Sequence, residues 1–238
     1  MQNYLIFRLY GPLAAWGDTA VGEYRPTFAH PSKSAVIGLL AAALGIRRDD
    51  EERQKSLAEA CLFAVRVDAM GMLLRDYHTS QVPSAKKGVT HYTRRSELAV
   101  DDLNTILSSR DYRCDAAYTM AISTCKGAAY TAQQLADALL RPVFNLYLGR
   151  KSCPLALPLR PRVVSAATLQ DALAIATFDD DELSGVPQSS HISIHWEDGQ
   201  ASGFEREHVI TRRDIPLSRT RWQFGERHEN HCTIRKGE

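Results

Sequence analysis

The sequence is sparing with cysteine: five in 238 residues, Cys61, Cys114, Cys125, Cys153 and Cys232, odd in number and without a CxxC pair. That argues against a disulfide framework and the common cysteine-based zinc motifs, and it suits a reducing compartment. No run approaches the roughly 18 consecutive apolar residues of a membrane span. The opening MQNYLIFRLYG lacks the apolar stretch of a signal peptide and reads as a strand. A cytoplasmic protein without a membrane partner is expected. GxSxG, HExxH and GxGxxG are all missing, which removes the nucleophile elbow, the zinc-protease helix and the dinucleotide loop. No cofactor is implied. Gly149-Arg150-Lys151-Ser152 falls short of a phosphate-binding loop, because an arginine intrudes and the upstream glycine is absent. His228, His231 and Cys232 have no partner pair, and His191 and His195 read as ordinary strand histidines, so no metal site is expected.

There is also almost no net charge, +1 overall, yet the charge is unevenly spread. Arg141 to Arg162 holds five bases (Arg141, Arg150, Lys151, Arg160, Arg162) and no acid, whereas Val163 to His208 holds nine acids against the single base Arg206. Such polarity suits a chain with one face toward an anion and another toward solvent.

The order of elements is legible from periodicity. Tyr4–Leu9 (YLIFRL) is an apolar run stopping at Gly11-Pro12, a buried strand. Ser32 caps a predicted helix with Val36, Leu39, Leu40, Ala43 and Leu44 on one face, ended by Gly45 with Ile46 folding back. A short helical segment follows near Asp49–Ala58. Leu62–Asp68 and Met72–Thr79 read as a hairpin turning at Gly71, and Ala117–Ser123 as another strand. Thr131-Ala-Gln-Gln134 is a capping box opening a helix closed by Arg141-Pro142. Leu146–Leu148 is expected to complete the sheet, with Pro154, Pro158 and Pro161 stiffening the path out. Beyond it come a helix near Thr168–Ala176 and strands near His191–Trp196, His208–Thr211 and Thr220–Phe224. The fold class is therefore α+β: a ferredoxin-like βαββαβ domain over 1–160 with a thumb inserted at about 76–113, then a small β-rich lobe over 161–238.

Two regions suit nucleic acid. The insertion has a basic centre, KKGVTHYTRR, in which Lys86, Lys87, Arg94 and Arg95 surround His91 and Tyr92. Cations meet phosphates and rings stack on bases, the pairing that single strands need. Tyr77, His78 and Arg113 flank it. The second region is the loop before the first helix, where Arg25, Lys33 and Ser34 would hold an anion against free helix-start amides. Arg150, Lys151 and Ser152 would add a phosphate contact after Gly149. General acid–base cleavage of RNA needs only a His, Tyr or Lys near a 2′-hydroxyl. Tyr24, His30, His78, Lys86 and His91 are available, but their spacing marks no poised pair.

Five stretches, LYGPLAAWG, RPTFAHPSKSAVIGLLAAALGIRRDD, RDYHT, YRCDAAYTMA and LYLGRKSCPLALPL, occur in order over residues 1 to about 165. Together they resemble the CasD family of the type I-E CRISPR surveillance complex, Cascade, within the RAMP superfamily. The resemblance implies a modified RNA-recognition domain with a thumb, and partners in the CRISPR RNA, whose 5′ handle the family holds, the CasC backbone and the large CasA subunit. Target DNA is met only through the complex. It implies no catalysis, since type I-E systems cleave their precursor RNA with CasE; the alternative is a metal-independent endoribonuclease, the role of the corresponding type I-C subunit.

Overall fold

In the computed structural model, which describes residues 1–125, 127–178, 180–187 and 189–235, alternate side chains of the first strand enter two different cores. β1 (Gln2–Ala14) sends Leu5, Phe7 and Leu9 into the larger one and Tyr4 and Ile6 into the smaller. A strand covered on both faces reads as an unbroken apolar run, hence YLIFRL. The larger core lies under the helices α1 (Lys33–Ala43), α2 (Glu51–Ala60) and α4 (Ala132–Leu140), and the smaller under α5 (Leu169–Ile175).

The fold is α+β and mostly antiparallel. β5 (Leu103–Thr124) lies between β1 and β3 (Cys61–Ala69), antiparallel to both, and β6 (Arg162–Ala166) flanks β1 on its other side. The sheet then continues past β3 through β7 (His191–Glu197) and β9 (Gln223–Arg235) to β8 (His208–Ser218) at the edge. The strands after residue 161 extend both edges of this one sheet, β6 on one side and β7, β9 and β8 on the other.

The helix signals act as read. Ser32 caps α1 by accepting from the Ala35 amide, Gly45 and Ile46 close it by donating to Ala42 and Ala41, and Thr131 and Gln134 form their capping box. Besides the strand expected at Thr220–Phe224, whose first part is instead the turn from β8 into β9 at Gln223, three strand expectations change. β1 runs through Gly11-Pro12 to Ala14, because past Ile6 its outer side meets no strand and the missing proline N–H costs nothing there. Leu146–Leu148 is not a strand. Instead the proline-rich stretch lies along that open edge, with the Arg8 amide donating to Leu159 O at 2.9 Å and the Ala156 amide to Tyr10 O at 3.0 Å; β6 takes the sheet position.

The third change is at Gly71. β3 and β4 (Met72–Pro83) do not pair with each other; both pair with β5, β3 at Ala117–Thr124 and β4 at Leu103–Cys114. Gly71 is a bend in a broken strand, φ +64°, so tight that a Cβ there would sit 2.2 Å from Cys114 O. The chain reverses only at 84–102, which carries the short helix α3 (Arg94–Leu98). Residues 76–113 therefore form the outer part of a two-stranded ribbon, touched near its base by β2 (Tyr24–Arg25).

Candidate nucleic-acid interface

At the end of the ribbon, Thr93 and Ser96 form a capping box that fixes α3 and hence the spacing of the cations around it. Lys86, Lys87 and Arg95 are exposed, Tyr92 is almost wholly so, and Tyr77 projects farther down β4. Arg94 is engaged by Glu97 at 2.7 Å and by Gln81 O. His91 is half-buried beside a pocket of about 440 Å³ lined by Val82, Pro83, Val89 and Val100. His78 pairs with Asp76 at 3.1 Å.

Asp111, absent from the sequence expectations, organises the ribbon base. Buried itself, it accepts from Arg75 Nε at 2.8 Å and from the Tyr24 hydroxyl at 2.6 Å. The Arg75 hydrogen bonds hold its carboxyl below the usual range, while the bond to Asp111 raises the Tyr24 phenol. Arg150 spans this junction: it donates to the Asp111 and Arg25 carbonyls, each at 3.2 Å, and lies 4.7 Å from the Tyr112 ring centre. It ties β5 to β2 while keeping one side toward solvent, with Lys151 and Ser152 exposed beside it. Arg113 donates to Phe28 O at 3.4 Å.

A groove of about 1170 Å³ opens over the outer face of α1. Arg25, Ser34 and Gly38 line it together with Arg47, Arg48, Tyr147, Arg219 and Trp222, and two carboxylates, Asp18 and Asp49, line it as well. Arg219 donates to Ser34 O, and burial, with Arg48 nearby, brings its pKa down to about 10, still charged at neutral pH. Arg48 lies 4.8 Å from the ring centre of Trp222.

Lys33 is the expectation that the structure overturns. Its ammonium is buried against Glu197 Oε2 at 3.0 Å, and its helix-start amide donates to Asp214 Oδ2 at 2.8 Å. The anion at this helix N-terminus is the chain's own carboxylate. Around it, Arg227 reaches Asp214 at 2.6 Å and also Glu229, whose Oε1 lies 3.1 Å from His30 Nε2 and 3.4 Å from His195 Nδ1. Burial alone would raise the Glu229 carboxyl, but bonds from His195 and His30 and the Arg227 charge hold it well below the carboxylate range. His30, His195 and Glu229 also bring potential metal-ligand atoms within 4.8 Å of one another. Arg212 Nη1 stands 3.2 Å from His30 Nε2 and 3.7 Å from Glu229 Oε1, a fixed positive charge against two of the three.

Of the five nuclease candidates the structure brings together only Lys86 and His91, which line the same tip pocket. Tyr24 is at the ribbon base, His78 on β4, Lys86 and His91 at the tip, and His30 in the buried cluster.

The sequence model of the CRISPR-associated protein family Cas5 matches residues 4–229. The chain belongs to the Cas5 family. Cas5 relatives include the CRISPR system Cascade subunit CasD of Escherichia coli (strain K12), 39% identical over 181 residues, covering 73% of this chain and 76% of the relative. Similar structures include a chain of a CRISPR RNA-guided surveillance complex, 27% identical, with a TM-score of 0.65 over 98% of this Cas5 chain and 89% of the other. Another, described as a Cas protein, is 26% identical with a TM-score of 0.60 over 98% and 95% of the two chains. Among the described residues of the Cas5 chain, no helix is long and apolar enough to cross a membrane.

Sequence reasoning missed Arg47, Arg48, Arg219 and Trp222 as groove residues. The pair GIRRDD was visible beside the first helix, but nothing local links it to a turn some 170 residues later.

Proposed function

We propose that this Cas5-family chain is a non-catalytic subunit of a type I-E CRISPR surveillance complex that holds the 5′ handle of the guide RNA and caps the backbone beside CasC and CasA. The observation that carries the reading is the ribbon tip, where Lys86, Lys87, Tyr92 and Arg95 face solvent. Exposed cations flanking an exposed ring are what a single strand needs from a protein.

In this reading β1, α1, β3, β5, α4 and β6 form a ferredoxin-like, RNA-recognition-type core and the ribbon is its thumb. Residues 1–160 are the RNA-holding domain, to which β6 adds the last strand of the core, and the rest of 161–238 supports it. Tyr77, His78, Lys86, Lys87, His91, Tyr92, Arg94 and Arg95 meet the guide on the thumb. Arg25, Ser34, Arg113, Arg150, Lys151 and Ser152 meet handle phosphates near its base, joined by the groove arginines. Target DNA is reached through the paired guide.

The test is purification together with the CRISPR array and neighbouring subunits, then sequencing of the retained RNA. Reversing Lys86, Lys87, Arg94 and Arg95 to Glu is expected to strip the guide, and wild-type binding is expected to fall with salt at a log–log slope of about −0.7 per phosphate contact. Unchanged retention would remove the thumb from the reading. Site-specific cleavage of repeat RNA by the purified protein in EDTA, lost in Tyr24→Phe or His91→Ala, would replace it with an endoribonuclease.

A further inference from the structure

The groove over α1 has a feature that phosphate contact does not require. Trp222 sits in the turn between β8 and β9 with φ at +53°, a conformation that costs a bulky residue of order 1 kcal/mol. Of the three tryptophans, Trp16 and Trp196 are buried at 1% and 4% exposure, while Trp222 remains 57% exposed. The turn thus spends strain holding a large ring at the mouth of the groove, with the Arg48 guanidinium at its face.

We propose that Trp222 is a stacking platform for one unpaired base of the bound RNA, with Arg47 and Arg48 neutralising the phosphates beside it. The proposal rests on the reading of this chain as a guide-RNA holder and adds where one nucleotide is gripped. The volume of about 1170 Å³ exceeds that of drug-sized pockets, roughly 300–1,000 Å³, which leaves room for more than a single small molecule. Gly38 leaves the α1 face without a Cβ, and one placed there would meet only the far end of Arg219 at 3.3 Å. That space is taken by the Arg219 guanidinium, which is tied to Ser34 O and so holds a fixed positive charge over the helix face for a passing phosphate. Every base has a π-face, so a platform of this kind holds its nucleotide whatever the sequence.

The test uses the full chain and a synthetic single-stranded RNA copying the repeat-derived 5′ segment of the guide. Because the other tryptophans are buried, quenching of intrinsic fluorescence on titration reports Trp222. Quenching is expected in the wild type and absent in Trp222→Ala, whose affinity by anisotropy should fall about 5- to 100-fold; Trp222→Phe should recover most of it. Replacing nucleotides one at a time by abasic sites should expose one position that matters in the wild type and not in Trp222→Ala. RNA binding with no quenching, or with equal affinity in Trp222→Ala, overturns the platform and leaves the RNA-holding reading standing. Quenching caused by another subunit of the complex without RNA would make the turn a protein interface and overturn it too. Wild-type protein that binds no such RNA would bring down both.

Discussion

Two places in this molecule collect positive charge, and they treat it in opposite ways. Under the start of α1, Lys33, Arg212 and Arg227 are each buried at 7% exposure or less and face Glu197, Asp214 and Glu229. At the ribbon tip, Lys86, Lys87 and Arg95 stand in solvent. The buried cations fasten β8 and β9 to the helix; the exposed ones await an anion from outside. What separates a structural cation from a recognition cation is whether the chain returns a carboxylate to it, and the two that meet Lys33, Glu197 and Asp214, lie 164 and 181 residues from it.

The largest effect should come from the buried side. Glu229→Gln leaves Arg212 and Arg227 short of a partner in a dry site, and such breakage costs about 3–5 kcal/mol; urea unfolding measures it. Glu97→Gln at the tip removes the partner of Arg94 in solvent and should cost under about 1 kcal/mol by the same measurement. A near-equal cost for the two substitutions would erase the contrast.

Next is the junction. Gly71→Ala sets a Cβ against Cys114 O in a left-handed conformation, costing about 1–3 kcal/mol in strain before the clash is counted. Amide exchange should quicken along β4 and the facing half of β5, while β1 stays protected.

Acid should also tell the regions apart. Burial depresses the imidazoles of His195 and His231, and for His231 the neighbouring His195 adds to this. The unfolded chain then binds protons that the folded one refuses, so stability is fully present above about pH 6.5 and falls as pH drops below it, more steeply once Glu229 must be protonated. His195→Phe should flatten the upper part of that slope in denaturation midpoints measured from pH 8 to pH 5. Reversal of the four tip cations breaks that same solvent-exposed Arg94–Glu97 pair and should likewise cost only about 1 kcal/mol, in the variant expected to lose its RNA.

Local signals in the sequence proved sound. Ser32, Gly45, Thr131 and the run YLIFRL each act through neighbours within a few residues, so their meaning survives without tertiary knowledge. Strand partners were less readable. A glycine bend between two strand-like runs looks like a hairpin whether the strands fold onto each other or, as at Gly71, both lie along a third. In the candidate site, the tip cluster is contiguous and legible, whereas the groove draws on α1, the Arg47-Arg48 loop and the β8–β9 turn. The role of Arg150 at the ribbon base likewise depends on Asp111 and Arg25, which sequence spacing does not bring to it.

β5 is a single strand of 22 residues, its inner half wedged between β1 and β3 and its outer half paired with β4, with the left-handed Asp115 (φ +52°) where the two halves meet. Mechanically it is a cantilever. A load at the tip passes along a single backbone into the most deeply packed strand of the sheet, while the break opposite it at Gly71 serves as the pivot. Whatever seizes the ribbon therefore pulls on the core itself.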